Sequence, residues 1–249
     1  MRKDKRTVNR VLSPASLHDE ETLLDFFGQH NIKPIHAINL WKHTIRNDSL
    51  LSAGVDFTQV PRLPVALPAL LKERFVFTTS RVKEERTSAD GSTTKLLIEL
   101  QDKQLVESVI IRNKHTNDDQ SVEKWVTLCV SSQVGCQMAC SFCATGTMGL
   151  KGNLSAGEIV EQLVHASRRD KVRNVVFMGM GEPLHNYDAV LSAVRAMVDT
   201  NRFGLAPSRV TVSTVGIVPR MLQLAKVGVV IAYCFLAIVS VLSGILSAF

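Results

Sequence analysis

Apolar residues recur at helical spacing twice in the first fifty positions. Residues 20–27 set Leu23, Leu24, Phe26 and Phe27 near one side, and 35–45 give a second apolar-periodic run, with Pro34 breaking the two apart. Pro61, Pro64 and Pro68 argue against a long uninterrupted helix over 57–71. These positions predict a small helical unit over 1–75. The pattern then turns to β. Strands are expected at 75–81, at 95–100 after the turn-rich run 88–92, and at 105–111, with the polar stretch 113–123 as a loop. This block, 76–123, predicts a small antiparallel sheet leading into the next domain.

From Trp125 the pattern alternates β with α. A strand at 125–131 leads into a cysteine-rich loop. Ser155-Ala156-Gly157-Glu158 matches a capping box, with Ile159, Leu163 and Val164 on the apolar face of the helix that follows. The apolar run 174–178 reads as a strand buried on both faces. A helix over 187–198, a strand over 209–214 and a helix from 218 to 226 follow. Three successive βα units over 124–226 imply an α/β fold with a parallel sheet and right-handed crossovers. A partial (β/α) barrel, incomplete at the C-terminus, is the expected closure, although spacing alone leaves an open sheet possible.

Composition narrows the class. The chain has 249 residues and is 45% hydrophobic, enough for a packed core. Its formal charge of +6 fits a polyanionic partner such as RNA without requiring one. The basic start, with Arg2, Lys3, Lys5, Arg6 and Arg10, has too few apolar residues for an amphipathic targeting helix. A solvated tail and a cytoplasmic protein are expected, with an organelle left open.

The 5 cysteines are Cys129, Cys136, Cys140, Cys143 and Cys234. An odd count with no secretory signal argues for a reducing compartment and thiolate ligands over a disulfide framework. Cys136, Cys140 and Cys143 form C-x3-C-x2-C. Soft thiolates suit an iron–sulfur cluster or zinc, but structural zinc takes four ligands, and no second CxxC pair exists. Three ligands on a four-iron cubane leave one iron open to a small molecule.

This motif, with Phe142 before its last cysteine, resembles that of the radical S-adenosylmethionine (SAM) superfamily. Gly179-Met180-Gly181-Glu182-Pro183 resembles the element of that superfamily that holds the methionine amino group of the cofactor. The longer strings 127–136, 179–184 and 209–214, with Gly216 to Pro219, are similar to the adenine-C2 methyltransferases of 23S ribosomal RNA and transfer RNA. The resemblance runs from about residue 20 to 226. It implies a [4Fe–4S] cluster on Cys136, Cys140 and Cys143, with S-adenosyl-L-methionine chelated on the open iron and cleaved to a 5′-deoxyadenosyl radical. It further implies cofactor contacts from Gly181, Glu182 and Ser213, an acidic residue near the substrate adenine at Glu107, and an adduct-resolving thiol at Cys129. A ribosomal or transfer RNA substrate, contacts to it from the helical N-terminal unit, and an electron donor complete the expectation. Glu107 reads equally well as an exposed strand carboxylate, while for Cys129 the functional reading is favoured over that of a small core residue.

The uncharged stretch 227–249 stands where the resemblance expects the next strand and cofactor loop, and the family's late methyl-carrying cysteine is not matched by Cys234. Its length suits a membrane span, so a membrane-tethered RNA-binding protein without catalysis is one reading. A truncated or mis-spliced product, whose last residues form an apolar tail read from non-coding sequence, is the favoured one, because the stretch interrupts the matching barrel in mid-domain and a half barrel leaves sheet edges unprotected. On that reading the chain is catalytically incomplete. The same cysteines would also suit a related C8-adenine methyltransferase or, as a last resort, a zinc-binding module.

Overall fold

The computed structural model describes residues 10, 12–46, 55–118, 120–226 and 230–233. Strand β1 (Ala15–Ser16) precedes helices α1 (Glu20–Gln29) and α2 (Ile35–Arg46). Asp19 caps α1 by accepting from the Thr22 amide, and Glu20 and Glu21 favour the positive end of the helix dipole. The proline-rich stretch forms a short 3-10 turn, Phe57–Gln59, and helix α3 (Leu67–Arg74), with Pro68 in its first turn where no amide is needed. Leu17, Leu23, Phe27, Leu40, Trp41, Leu67 and Leu71 close a core of their own, joined by Val164 from a later helix.

The strands that follow are β2 (Phe75–Val76), β3 (Arg81–Thr87), β4 (Thr93–Glu99), β5 (Leu105–Thr116) and β6 (Val122–Cys129). The ribbon β7 (Gln133–Gly135) and β8 (Leu150–Asn153) precedes helix α4 (Ala156–Ser167). Strand β9 (Val172–Phe177), helix α5 (Tyr187–Val198), strand β10 (Val210–Thr214), helix α6 (Val218–Ala225) and strand β11 (Val230–Tyr233) complete the order. One seven-stranded sheet runs β11-β10-β9-β6-β5-β4-β3. Strands β6, β9, β10 and β11 are parallel, and β3 to β6 form an antiparallel meander.

Four expectations need correction. The run 75–81 is not one strand. Only Phe75–Val76 pairs, with β1, and the sheet strand starts at Arg81. The seven residues of β3 are almost all exposed, so this edge strand carries no buried alternation to read. The polar run 113–123 is mostly strand, because the β5–β6 hairpin projects beyond its covering helices and needs no apolar face there. The antiparallel strands do not form a separate sheet, since β6 pairs with β5 on one side and β9 on the other. Finally, 227–249 is not wholly a tail: β11 pairs parallel with β10 from Thr211↔Val230 to Thr214↔Tyr233, adding a strand to the partial barrel. Cys234 and the rest of that stretch lie outside the described residues. Among those described, no helix is long and apolar enough to cross a membrane.

Helices α4 and α5 cover one face of the sheet. Ile159, Val160 and Leu163 of α4 and Val190, Val194 and Met197 of α5 pack with Leu96, Ile98, Val106, Ile110, Leu128, Val175 and Val212. The expected capping box at Ser155 and Glu158 is formed in both directions. Every residue of α4 but the last is buried, because the N-terminal unit covers its outer side. The opposite face of the sheet carries the half-buried members of each alternation.

Candidate active site at the strand ends

The register of the sheet assembles the open face. Lys95 pairs with Val109, Val109 with Cys129, Cys129 with Val176 and Val176 with Thr211, so these residues form one row across β4, β5, β6, β9 and β10. Glu107 lies two residues along β5 from Val109, and Ser213 two along β10 from Thr211. Because β5 runs antiparallel to its neighbours, both steps lead to the same end, where the parallel strands finish. Strand alternation thus puts Glu107, Cys129 and Ser213 on one face. The Ser131 hydroxyl, just after β6, donates to the Glu107 carbonyl at 2.6 Å and fixes the alignment. The Glu107 carboxylate accepts from Lys95 Nζ at 2.8 Å, with both side chains about half exposed. Burial pushes the Cys129 thiol up, partly offset by a backbone hydrogen bond at Met178.

The cysteine loop hangs from the same strand end. The β7–β8 ribbon closes its base, with Gln133 opposite Asn153, and the Cys136 amide donates to the Gly149 carbonyl at 3.1 Å. Gly135 makes this closure possible. Its φ is +74°, and a Cβ there would lie 1.9 Å from the Gly149 oxygen. Inside the loop the Cys143 amide donates to the Cys140 carbonyl and the Gly146 amide to the Cys143 carbonyl, each at 3.0 Å. All three thiols are half-buried, and none is in a disulfide. The Met138 amide donates to Cys136 Sγ at 3.4 Å. Burial raises the pKa of the Cys136 thiol; that bond opposes the rise, and the charges of Cys140, Glu182 and Cys143 add to it. Among the described residues no group of three His, Cys, Asp or Glu side chains is drawn together tightly enough to hold a metal. The donor set itself, three soft thiols on one short loop, suits iron–sulfur coordination with one iron left open.

The segment after β9 lies directly over residues 130–133. The Gly179 amide donates to the Val130 carbonyl, and the Ser132 and Gln133 amides both donate to the Met180 carbonyl. A Cβ on Gly179 would meet the Val130 carbonyl at 2.7 Å, and one on Gly181, whose φ is +100°, would meet Gln133 Cβ at 2.5 Å. Both glycines are therefore needed for close backbone approach. Glu182 is buried at 3% exposure. Its carboxylate accepts from the Leu184 amide at 3.0 Å, the Thr214 hydroxyl at 2.6 Å and the Val215 amide at 3.0 Å. It clamps the end of β10 to the loop after β9, while its own amide donates to Gln133 Oε1 at 2.9 Å.

Sequence reasoning did not single out Gln133, Thr214, Lys95 or the contact of Gln137 Nε2 with His185 Nδ1 at 2.9 Å, which ties the cysteine loop to the turn after Glu182. Gln133 lay inside a matched string, but nothing in a string shows which side chain turns back on a later loop.

Residues 130–238 match the model of the radical SAM superfamily. The chain is 40% identical over 188 residues to the dual-specificity RNA methyltransferase RlmN 1 of Myxococcus xanthus, covering 74% of this chain and 48% of the relative. It is 43% identical over 203 residues to a probable dual-specificity RNA methyltransferase RlmN of Akkermansia muciniphila, covering 79% and 54%. Among solved structures, a radical SAM methyltransferase from Sphaerobacter thermophilus matches with a TM-score of 0.71 at 35% identity, covering 88% of this chain and 63% of that one. The chain spans about half the length of the curated relatives it matches.

Proposed function

We propose, for a chain that belongs to the RlmN family of the radical SAM superfamily, that it builds the cluster- and cofactor-binding part of an RNA methyltransferase acting on C2 of adenine in ribosomal or transfer RNA. One observation carries the reading: Glu107, Cys129 and Ser213 share one sheet face and converge on the end from which the cysteine loop and the Gly181-Glu182 segment hang.

In this reading Cys136, Cys140 and Cys143 hold the [4Fe–4S] cluster, and Gly181, Glu182 and Ser213 line the place of S-adenosyl-L-methionine. When bound, these groups supply the electron, the radical and the methyl group that an unreactive adenine carbon requires. The remaining work falls to the side chains of the sheet face. Methylation at C2 must end with loss of the C2 proton, and the Glu107 carboxylate is the proton acceptor on that face. Lys95 holds the carboxylate in place through its 2.8 Å ion pair. Cys129, two positions across the row, is the thiol that resolves an adduct between enzyme and RNA. Its raised pKa keeps it a thiol until a base takes its proton. The N-terminal helical unit contacts the RNA, a cellular electron donor reduces the cluster, and the enzyme works in the cytoplasm.

The test is anaerobic reconstitution of the full-length protein with iron and sulfide. The wild type should take up close to four irons and turn brown. Replacing Cys136, Cys140 and Cys143 together by alanine should abolish both. A variant that keeps the absorbance refutes the ligand assignment, and a product methylated at C8 instead of C2 refutes the regiochemistry.

A further inference from the structure

A second concave site lies at the opposite end of the sheet. A cavity of about 1000 Å³ opens where β9 and β10 begin, between the projecting β5–β6 hairpin, the turn before β9 and the segment 203–206. Its floor is apolar, formed by Val126, Val172, Phe203 and Leu205. Trp125, on the same hairpin, alternates with Val126 and lies with Asn113 and Thr127 on the other face of the sheet, which leaves Phe203 as the aromatic surface of the cavity.

Cations dominate its rim. Arg112 is spent on Asp170, at 2.7 Å, and also donates to the Gly91 carbonyl and the Thr94 hydroxyl. Arg173 is spent on Glu123. That leaves Lys114, Lys124 and Lys171 facing the cavity without an acidic partner among the described residues; Arg209 donates to Asn174 Oδ1 and lies in the field of Glu123, and Asp90 is the one lining carboxylate outside those pairs. Asp90 is held within its own turn by Ser88 and Ser92. Lys114, Lys124 and Lys171 are exposed.

An apolar, aromatic floor under a cationic rim matches a nucleotide, whose base is flat and apolar on its faces and whose phosphates are anionic. A protein or lipid partner does not need both features in a cavity of this size. We propose that this cavity seats a nucleotide of the RNA chain well away from the reacting adenine, with the base on Phe203 and the flanking phosphates on Lys114, Lys124 and Lys171. The inference rests on the RNA reading above and adds a second anchoring point to it. The six residues of β9 separate the two ends by roughly 20 Å. RNA held at both ends must therefore follow the side of the sheet, which favours a folded RNA over a short oligonucleotide.

The experiment measures binding of the full-length protein to a transfer RNA transcript and to a 23S ribosomal RNA fragment by fluorescence anisotropy over a salt series. It compares the wild type with Lys114→Gln/Lys124→Gln/Lys171→Gln. These side chains are exposed, and circular dichroism and iron content check that the variant folds. Each lost phosphate contact should lower the slope of log affinity against log salt by about 0.7–0.9, so the triple variant should lose about 2 or more. Photocrosslinking with 4-thiouridine transcripts should map to peptides containing Phe203. A variant that keeps the wild-type salt slope, or crosslinks confined to other peptides, overturns the site while leaving the RNA reading standing. A wild type that binds neither RNA removes both.

Discussion

Two buried glutamates organise two regions of this protein in opposite ways. Glu182 sits at the strand ends and gathers Leu184, Thr214 and Val215, two of its three donors being backbone amides. Around it the thiols stay half exposed and the open face of the sheet is only half-buried. Glu161 sits in the middle of α4 with no exposure at all. It accepts from the Ser16 hydroxyl at 2.6 Å and from the Thr79 and Ser80 amides at 2.8 and 2.9 Å, and from both of those residues' hydroxyls. Burial pushes its carboxyl up. Ser80 also meets His165 Nε2 at 3.0 Å, and His18, Arg202 and Trp41 complete the junction with the N-terminal helices. The first carboxylate joins loops that must present ligands to solvent; the second joins two packed units and presents nothing. A buried carboxylate thus marks a site only when accessible chemistry surrounds it.

Removing each carboxylate separates the roles. Glu161→Ala leaves the Ser16, Thr79 and Ser80 donors unpaired in a dry junction and should cost about 3–5 kcal/mol in urea unfolding. Limited proteolysis should then release the N-terminal unit, while iron uptake by whatever remains folded persists. Glu182→Ala strands fewer donors and should cost about 2–3 kcal/mol, but with loss of S-adenosylmethionine affinity. Equal losses of cofactor affinity in the two variants would erase the distinction.

The cysteine loop can be broken without touching a ligand. Gly135→Ala forces a Cβ onto the Gly149 carbonyl at a positive φ and should cost roughly 2–4 kcal/mol, opening the β7–β8 ribbon. Iron content after reconstitution should fall with it. A Gly135→Ala protein with full iron content would mean that ribbon closure does not position the thiols.

The two regions also differ in how far the chain announces them. C-x3-C-x2-C, the glycine pair at 179 and 181 and the strand 174–178 are contiguous strings, so the strand-end region was readable. The parallel register did the rest by carrying Glu107 and Ser213 to the same end. The Glu161 junction was not readable. Glu158, Glu161 and His165 look like the solvent side of an amphipathic helix, and only Arg10, Ser16 and Ser80, arriving from far earlier in the chain, turn that side inward, while Gln162 is drawn to the sheet by Ser108 and Ser131. Strand β3 escaped because an exposed edge tolerates charge at every position, and β11 escaped because an unbroken apolar run shows no period.

His18 sharpens the comparison with the smallest expected effect. It is buried at 1% exposure, packs edge-on against Phe77 at 4.9 Å, and neither ring nitrogen has a hydrogen-bond partner. Burial, with Arg202, His165 and Arg168 nearby, lowers its pKa to about 3, and burial with Arg168 and Arg169 lowers that of His165 to about 4. The unfolded chain takes up protons on both near the ordinary value of 6.5, and the folded chain does not. Stability is therefore intact above that pH and falls as the pH drops from about 6.5 towards 4, by at most about 1.4 kcal/mol per pH unit for each histidine. His18→Phe fills the same space without orphaned nitrogens. It should gain about 1 kcal/mol at pH 7, and about 2 kcal/mol more relative to the wild type at pH 5, read from urea midpoints at the two pH values. A gain that does not grow on acidification would mean that His18 is protonated in the folded protein, and that the junction tolerates a charge where the strand ends, with their accessible thiols, are the region expected to carry one.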